Sequence, residues 1–220
     1  MKLERPVSHV IFDLDGVLLD SEPIYTEATQ RVIAPFGKVF DWSIKGDMIG
    51  RSSLEGARHL IRSLDLPLTP EEYLRRRRPL LEALFREVAE IPGARRFVEA
   101  LRERGVPLAV ATSSETALYR LKTARHPWFE RFSVIVCGDD PRIGQLKPAP
   151  DVFLVTAREL GVAPEQCLVF EDSLAGVSAA RAAGMQVVAL PDPAMDKGRY
   201  GAADLVINGY EELTTADIGL

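Results

Sequence analysis

The chain has 220 residues, of which 46% are hydrophobic and 27% charged, with a formal net charge of −5. These values belong to a soluble globular protein of one large domain, or of a domain with a sizeable insertion. The acidic balance argues against a general nucleic-acid binder, and no apolar run approaches the ~20 residues that span a bilayer. No signal-peptide core is expected, because the first apolar run is short and stops at Asp13. Cys137 and Cys167 lie far apart, each beside an apolar run. They are expected as buried thiols in a reducing compartment, with neither a disulfide nor a zinc site, and the cytoplasm is the expected location.

The first element is HVIF, His9 to Phe12, which leads into Asp13, Asp15 and Gly16. A short β-branched and aromatic run closed by Asp and Gly predicts a buried strand that stops at a turn. Both aspartates then sit at the carboxyl end of a strand, where open α/β sheets place their active sites. Two carboxylates at i and i+2 either share a cation or simply form an acidic turn. Next comes a helix capped by Asp20 or Ser21, with Ile24, Ala28, Val32 and Ile33 at helical spacing, ended by Pro35 and Gly37. A second helix is predicted near Leu54 to Leu66. A third is capped by Thr69 and runs to about Val88, with a break or kink at Pro79. Apart from a weak strand signal at Val39 to Trp42, residues 18–91 read as an all-helical block.

From Pro92 the pattern alternates. Helix GARRFVEALRERG precedes strand VPLAVATSS, and a helix over Glu115 to Arg125 precedes SVIVCGDD. A helix over Val152 to Leu160 precedes CLVFEDS, one over Leu174 to Gly184 precedes QVVALP, and ADLVIN reads as an edge strand. Alternating buried strands and helices predict a parallel sheet covered on both faces. The strand near residue 10 finds its partners only after residue 105. The expected architecture is therefore α/β: a Rossmann-like core of residues 1–17 and 92–220, with an all-helical cap, residues 18–91, inserted between.

Three of the apolar strands end in polar groups: Asp13 and Asp15, then Thr112, Ser113 and Ser114, then Glu171 and Asp172. Lys147 lies in a turn before a helix. In a parallel sheet these strand ends share one edge, so the groups can converge. Four carboxylates in one crevice repel unless a cation sits among them, and an all-oxygen set suits Mg²⁺. Thr112 and the amides around Ser113 are placed to hold an anion, and Lys147 supplies the positive charge that phosphoryl oxygens need. Carboxylate nucleophile, metal, hydroxyl and lysine together describe phosphoryl transfer through an aspartyl-phosphate.

FDLDGV, VATSS, LKPAPDVF and VFEDSLAGVSAARAAGM, in this order and spacing, resemble the four motifs of the haloacid dehalogenase superfamily. More narrowly, they resemble its phosphatases and phosphomutases with a small helical cap. TSSETALYRLKTARHPWF, CGDDPRI and AAGMQVVALPD are most similar to the pseudouridine-5′-phosphatase-like branch. The resemblance implies that Asp13 is the nucleophile and a Mg²⁺ ligand. It makes Asp15 the general acid and then the base, with its backbone carbonyl on the metal. Thr112, Ser113 and Lys147 bind the phosphoryl group, Asp172 holds Mg²⁺, and Glu171 does so directly or through water. Asp15 speaks against a dehalogenase, and GRSS replaces the cap lysine of the phosphonate-cleaving relatives.

In the cap, Arg51 of MIGRSSLEG matches the family's specificity loop and is the expected substrate contact. Tyr25 stands near the place where hexose-phosphate mutases carry a His. Arg75 to Arg78 read as a solvated face, with Glu71 and Glu72 placed to pair with Arg75 and Arg76. His9, His59 and His126 form no metal-spaced cluster, and Trp42 and Trp128 read as packing. The function expected is a Mg²⁺-dependent phosphatase acting on a small monoester, a sugar phosphate or a nucleoside-type 5′-monophosphate. A hexose phosphomutase of the β-phosphoglucomutase type and a non-catalytic binding protein are the alternatives. A monomer is expected, with no nucleic-acid or membrane partner.

Overall fold

The computed structural model describes residue 3, residues 5–48 and residues 53–220. Strand β1 (His9–Phe12) is followed by the short strand β2 (Leu19–Asp20). Helices α1 (Glu22–Ile33), α2 (Trp42–Met48), α3 (Ser53–Leu64) and α4 (Pro70–Leu84) come next, then the short strand β3 (Ala89–Glu90). The remaining order is α5 (Ala94–Glu103), β4 (Leu108–Ala111), α6 (Thr116–Thr123), β5 (Val134–Val136) and α7 (Asp151–Leu160). It closes with β6 (Cys167–Glu171), α8 (Leu174–Ala182), β7 (Gln186–Ala189) and β8 (Leu205–Val206).

The sheet has the order β5-β4-β1-β6-β7-β8, and every pairing in it is parallel. Strand β1 lies between β4 and β6, with Val10 opposite both Leu108 and Leu168. The chain winds away from β1 in both directions, which opens a crevice at the carboxyl ends of the central strands. Every residue of β4, β6 and β7 is buried, because helices cover both faces. On one face Phe97, Val98 and Leu101 of α5 pack with Phe12 and Phe170, whose rings stack 4.9 Å apart. On the other, Phe153 of α7 and Val177 and Ala180 of α8 pack with Ile11, Val169 and Val187.

The segment between β1 and α5 carries its own apolar cluster: Val32 and Ile33 of α1, Ile44 of α2, Leu60 of α3 and Tyr73 of α4. Thr69 and Glu72 form a reciprocal capping box at the start of α4. The helix accommodates Pro79 and gives way to a 3₁₀ turn, Phe85–Glu87, before Val88. The body of the insert is helical, but its two ends are not. Strands β2 and β3 pair antiparallel, Leu19 opposite Glu90, and tie the entry and exit strands together. Val39 to Trp42 forms no strand; Trp42 opens α2 and is 39% exposed, with the Lys45 ammonium 4.7 Å over its ring. It is a surface residue, contrary to its apolar sequence context. Trp128 is buried, and its indole N–H donates to Glu90 (2.6 Å).

Candidate active site

Asp13, Asp15, Thr112, Ser113, Lys147, Glu171 and Asp172 all line one cavity of about 300 Å³ at the carboxyl edge of β1, β4 and β6, roofed by α1, α2, α3 and α4. Arg51 lies outside the described residues. The Asp13 amide donates to the Phe170 carbonyl, which extends the β1–β6 ladder and fixes the nucleophile candidate at the strand end. Gly16 takes φ +76°, and a Cβ there would fall 2.3 Å from Asp172 Oδ2. Only glycine lets the turn after Asp15 pass so close to that carboxylate.

Lys147 Nζ donates to Asp13 Oδ1 (2.5 Å), Glu171 Oε1 (2.6 Å) and the Ala111 carbonyl (3.1 Å), with 6% of its side chain exposed. Burial opposes its charge, but the two carboxylates more than offset this and hold the amine above its ordinary value. Burial also raises Asp13, to about 7, against the pull of Lys147 and with the help of Glu171 and Asp15. Asp172 is raised well above the usual range by burial and by Glu171, Asp13 and Glu22. Two carboxylates that resist ionisation side by side describe a site short of positive charge.

The second oxygen of Glu171 accepts from the Ser173 amide and hydroxyl, 3.0 Å each. With Oε1 on Lys147, both of its oxygens are engaged by protein donors, and Glu171 works here as the anchor of Lys147. Gly176, in the first turn of α8, makes room for it: a Cβ there would fall 1.8 Å from the Glu171 carboxylate. Thr112 is 1% exposed and its hydroxyl accepts from the Ser114 amide (3.0 Å).

Among the described residues no group of three or more His, Cys, Asp or Glu side chains is arranged to hold a metal alone. Mg²⁺ asks for less, since it binds through one or two carboxylates together with substrate oxygens and water. The close approach of Asp172 to the turn at Gly16, and the raised Asp13 and Asp172, fit that ion.

Several site residues escape the sequence. Lys122, on α6 and with no exposed side-chain surface, donates to both Asp15 oxygens (2.6 and 2.8 Å), to Ser114 (2.9 Å) and to the Tyr25 hydroxyl (3.1 Å). Burial pushes the Asp15 carboxyl up, but Lys122 and the Ser114 hydroxyl hold it below the usual range. Tyr25 is pushed up to about 12, chiefly by burial, and is a neutral phenol. The position of Lys122, three residues after the buried Tyr119, was a signal that it faces inward. Arg77 also lines the cavity, whereas Arg75, Arg76 and Arg78 are exposed. Arg78 pairs with Glu82, and the Glu72 carboxylate caps its own helix at Thr69, which with the nearby Arg75 and Arg76 holds it below its usual range.

A model of the family "haloacid dehalogenase-like hydrolase" matches residues 7–184. The chain is 41% identical over 223 residues to a probable pseudouridine-5′-phosphatase of Drosophila melanogaster, covering all of this chain and 96% of that protein. It is 41% identical over 222 residues to (DL)-glycerol-3-phosphatase 2 of Arabidopsis thaliana, covering 97% and 92%. Among solved structures, it is similar to a HAD family hydrolase of Deinococcus radiodurans with bound phosphate and sodium. That match has a TM-score of 0.77 and 31% identity, and covers 96% of this chain and 95% of that one.

Proposed function

Because the chain belongs to the haloacid dehalogenase-like hydrolase family, we propose that it is a Mg²⁺-dependent phosphatase of small monoesters working through an aspartyl-phosphate. The observation that carries this is Lys147, which bridges the buried Asp13 to Glu171 in the cavity that also holds Asp15, Asp172 and Thr112. The phosphatase names of two relatives support it: one names pseudouridine 5′-phosphate and the other a glycerol phosphate, in keeping with a nucleoside-type 5′-monophosphate or a small sugar or polyol phosphate as substrate.

Asp13 attacks phosphorus; its oxygen–phosphorus bond forms as the ester bond breaks. Asp15, two residues on, is the group placed to protonate the departing oxygen. Against burial, Lys122 and Ser114 hold its carboxyl below the usual range, so it takes up that proton as the phosphorylated substrate binds beside it. It then takes one from the water that cleaves the aspartyl-phosphate and frees inorganic phosphate. Lys147 Nζ, 2.5 Å from Asp13, is placed to follow the charge from the carboxylate onto the phosphoryl oxygens, and the Thr112 hydroxyl is a further donor. Mg²⁺, held by Asp13, Asp172 and the Asp15 carbonyl, would supply the charge that lets a phosphoryl group approach these carboxylates. The helical roof limits water at the reacting centre. Two buried free cysteines support a cytoplasmic setting, and a small phosphorylated molecule is the partner, with the protein acting as a monomer.

The test is phosphate release from a panel of sugar and nucleoside monophosphates, with Mg²⁺ or EDTA, by wild type and Asp13→Asn. Metal-dependent release that disappears in the variant supports the reading. Release that survives in Asp13→Asn removes Asp13 as nucleophile.

A further inference from the structure

Arg77 stands one turn after Tyr73 on α4 and lines the cavity that Asp13 and Asp15 also line. Its Nη1 donates to the Tyr73 hydroxyl (3.2 Å), which is itself paired with the Thr29 hydroxyl (2.9 Å). The guanidinium carbon lies 5.1 Å from the Tyr73 ring centre and 5.9 Å from that of Tyr25. Its Nε is buried and has no hydrogen-bond partner, and among the described residues no carboxylate pairs with it. Among the described residues, the other cap cation on this cavity is Lys45, which is paired with Glu22 (3.2 Å).

Stacking against two phenol rings explains why the guanidinium stays on this wall. It does not explain a desolvated donor left unpaired, since buried polar groups are almost always satisfied. A monoester whose phosphoryl group sits at Asp13 and Lys147 extends its alcohol portion toward the same roof. That portion meets Arg77, which lines the cavity. We propose that Arg77 reads the leaving group: its guanidinium takes an acceptor oxygen of the alcohol portion. The enzyme therefore favours monoesters of polyols, sugars or nucleosides over plain alkyl esters. This rests on the phosphatase reading above and names the feature of the substrate that the cap selects.

The test pairs two esters that differ only in those oxygens, glycerol 3-phosphate and n-propyl phosphate, with uridine 5′-monophosphate and ribose 5-phosphate as further oxygenated members. Wild type is expected to favour glycerol 3-phosphate in kcat/KM by roughly 10- to 100-fold, the range of one hydrogen bond to a charged group. Arg77→Met is expected to reduce that preference to within about threefold, through KM, while n-propyl phosphate is turned over as before. Arg77→Lys, which keeps one charged donor, keeps part of the preference, and Arg78→Gln on the exposed side keeps all of it. If Arg77→Met slows both esters equally, the residue only holds α1 to α4 and the proposal falls; it falls equally if the preference survives.

Calorimetric binding of the same two esters to Asp13→Asn, with and without Arg77→Met, separates the two readings. A wild type that releases no phosphate from any ester ends the phosphatase reading, yet the proposal stands if Asp13→Asn binds glycerol 3-phosphate more tightly and loses the difference with Arg77. Equal affinity for both esters overturns it.

Discussion

Lys122 Nζ lies 2.6 and 2.8 Å from the two carboxylate oxygens of Asp15, with the lysine side chain wholly buried and the aspartate side chain 20% exposed. Lys122 belongs to α6, and it also donates to the Tyr25 hydroxyl of α1 and lies 4.3 Å from the Phe85 ring centre. Sheet edge and cap therefore share one buried ammonium. Removing it leaves the Asp15 carboxylate with the Ser114 hydroxyl and no cation.

The consequence for stability has a definite sign. In the wild type Asp15 sits below its ordinary carboxylate value, so the pair contributes fully above about pH 4 and loses that contribution only below it, as pH falls through the lowered folded-state value. Breaking a buried pair from one side costs about 3–5 kcal/mol, and the partial exposure of Asp15 places Lys122→Met near the lower end. Without Lys122, burial is left to raise Asp15, which then takes up a proton between pH 7 and pH 4; urea denaturation should show a loss of about 3 kcal/mol at pH 7 that shrinks toward pH 4. Lys122→Met with Asp15→Asn should recover part of it. A loss that is the same at both pH values would mean packing, not charge, is what Lys122 supplies.

The cavity edge was legible because its groups follow strand ends: Asp13 and Asp15 after HVIF, Thr112 after LAVA, Glu171 and Asp172 at the end of CLVFE. A parallel sheet brings such ends together whatever the intervening sequence. Lys122 and Arg77 were not legible in this way, because each is a charged residue on a helix, and its direction depends on what packs beneath it. Even so, four consecutive helical residues sweep about 300°, so Arg75 to Arg78 could not all face solvent. The β2–β3 ribbon left no periodic trace, since its strands are two residues long.

Gly176→Ala sets helix propensity against a single contact. Alanine in α8 should gain up to about 1 kcal/mol over glycine, but its Cβ would stand 1.8 Å from the Glu171 carboxylate. Glu171 must then leave Lys147 and Ser173, and Lys147 loses one of its two carboxylates. A catalytic group displaced by about 1 Å costs on the order of 100-fold in rate, so kcat/KM should fall about that far in a protein that still folds. Unchanged kcat/KM would show that Glu171 is not the support for Lys147.

Replacing the exposed arginines together, Arg75→Gln, Arg76→Gln and Arg78→Gln, should do little. Arg78 pairs with Glu82 and reaches Glu115 at 3.7 Å, with 60% of its side chain exposed, where ion pairs contribute little. The triple variant should stay within about 1 kcal/mol of wild type in urea, and its kcat/KM within about twofold. A large fall in kcat/KM would instead make this surface a collector of anionic substrate.

Metal binding should compete with protons in a predictable direction. Asp13 is raised to about 7 and Asp172 lies well above its usual value, burial being the first cause in both. Raised carboxyls favour the fold at low pH, and that advantage disappears as pH rises through the folded-state values. Without Mg²⁺ the site should therefore weaken the protein most at pH 8, where both carboxylates are ionised and crowded. Mg²⁺ needs those ionised forms, and below pH 7 it must displace the proton on Asp13. Its apparent affinity should fall at least about tenfold per pH unit there, so millimolar Mg²⁺ should raise Tm clearly at pH 8 and barely at pH 5.5. Asp172→Asn should abolish the Mg²⁺-dependent rise at both pH values while raising Tm at pH 8 in EDTA. An equal Mg²⁺ effect in wild type and Asp172→Asn would place the ion elsewhere.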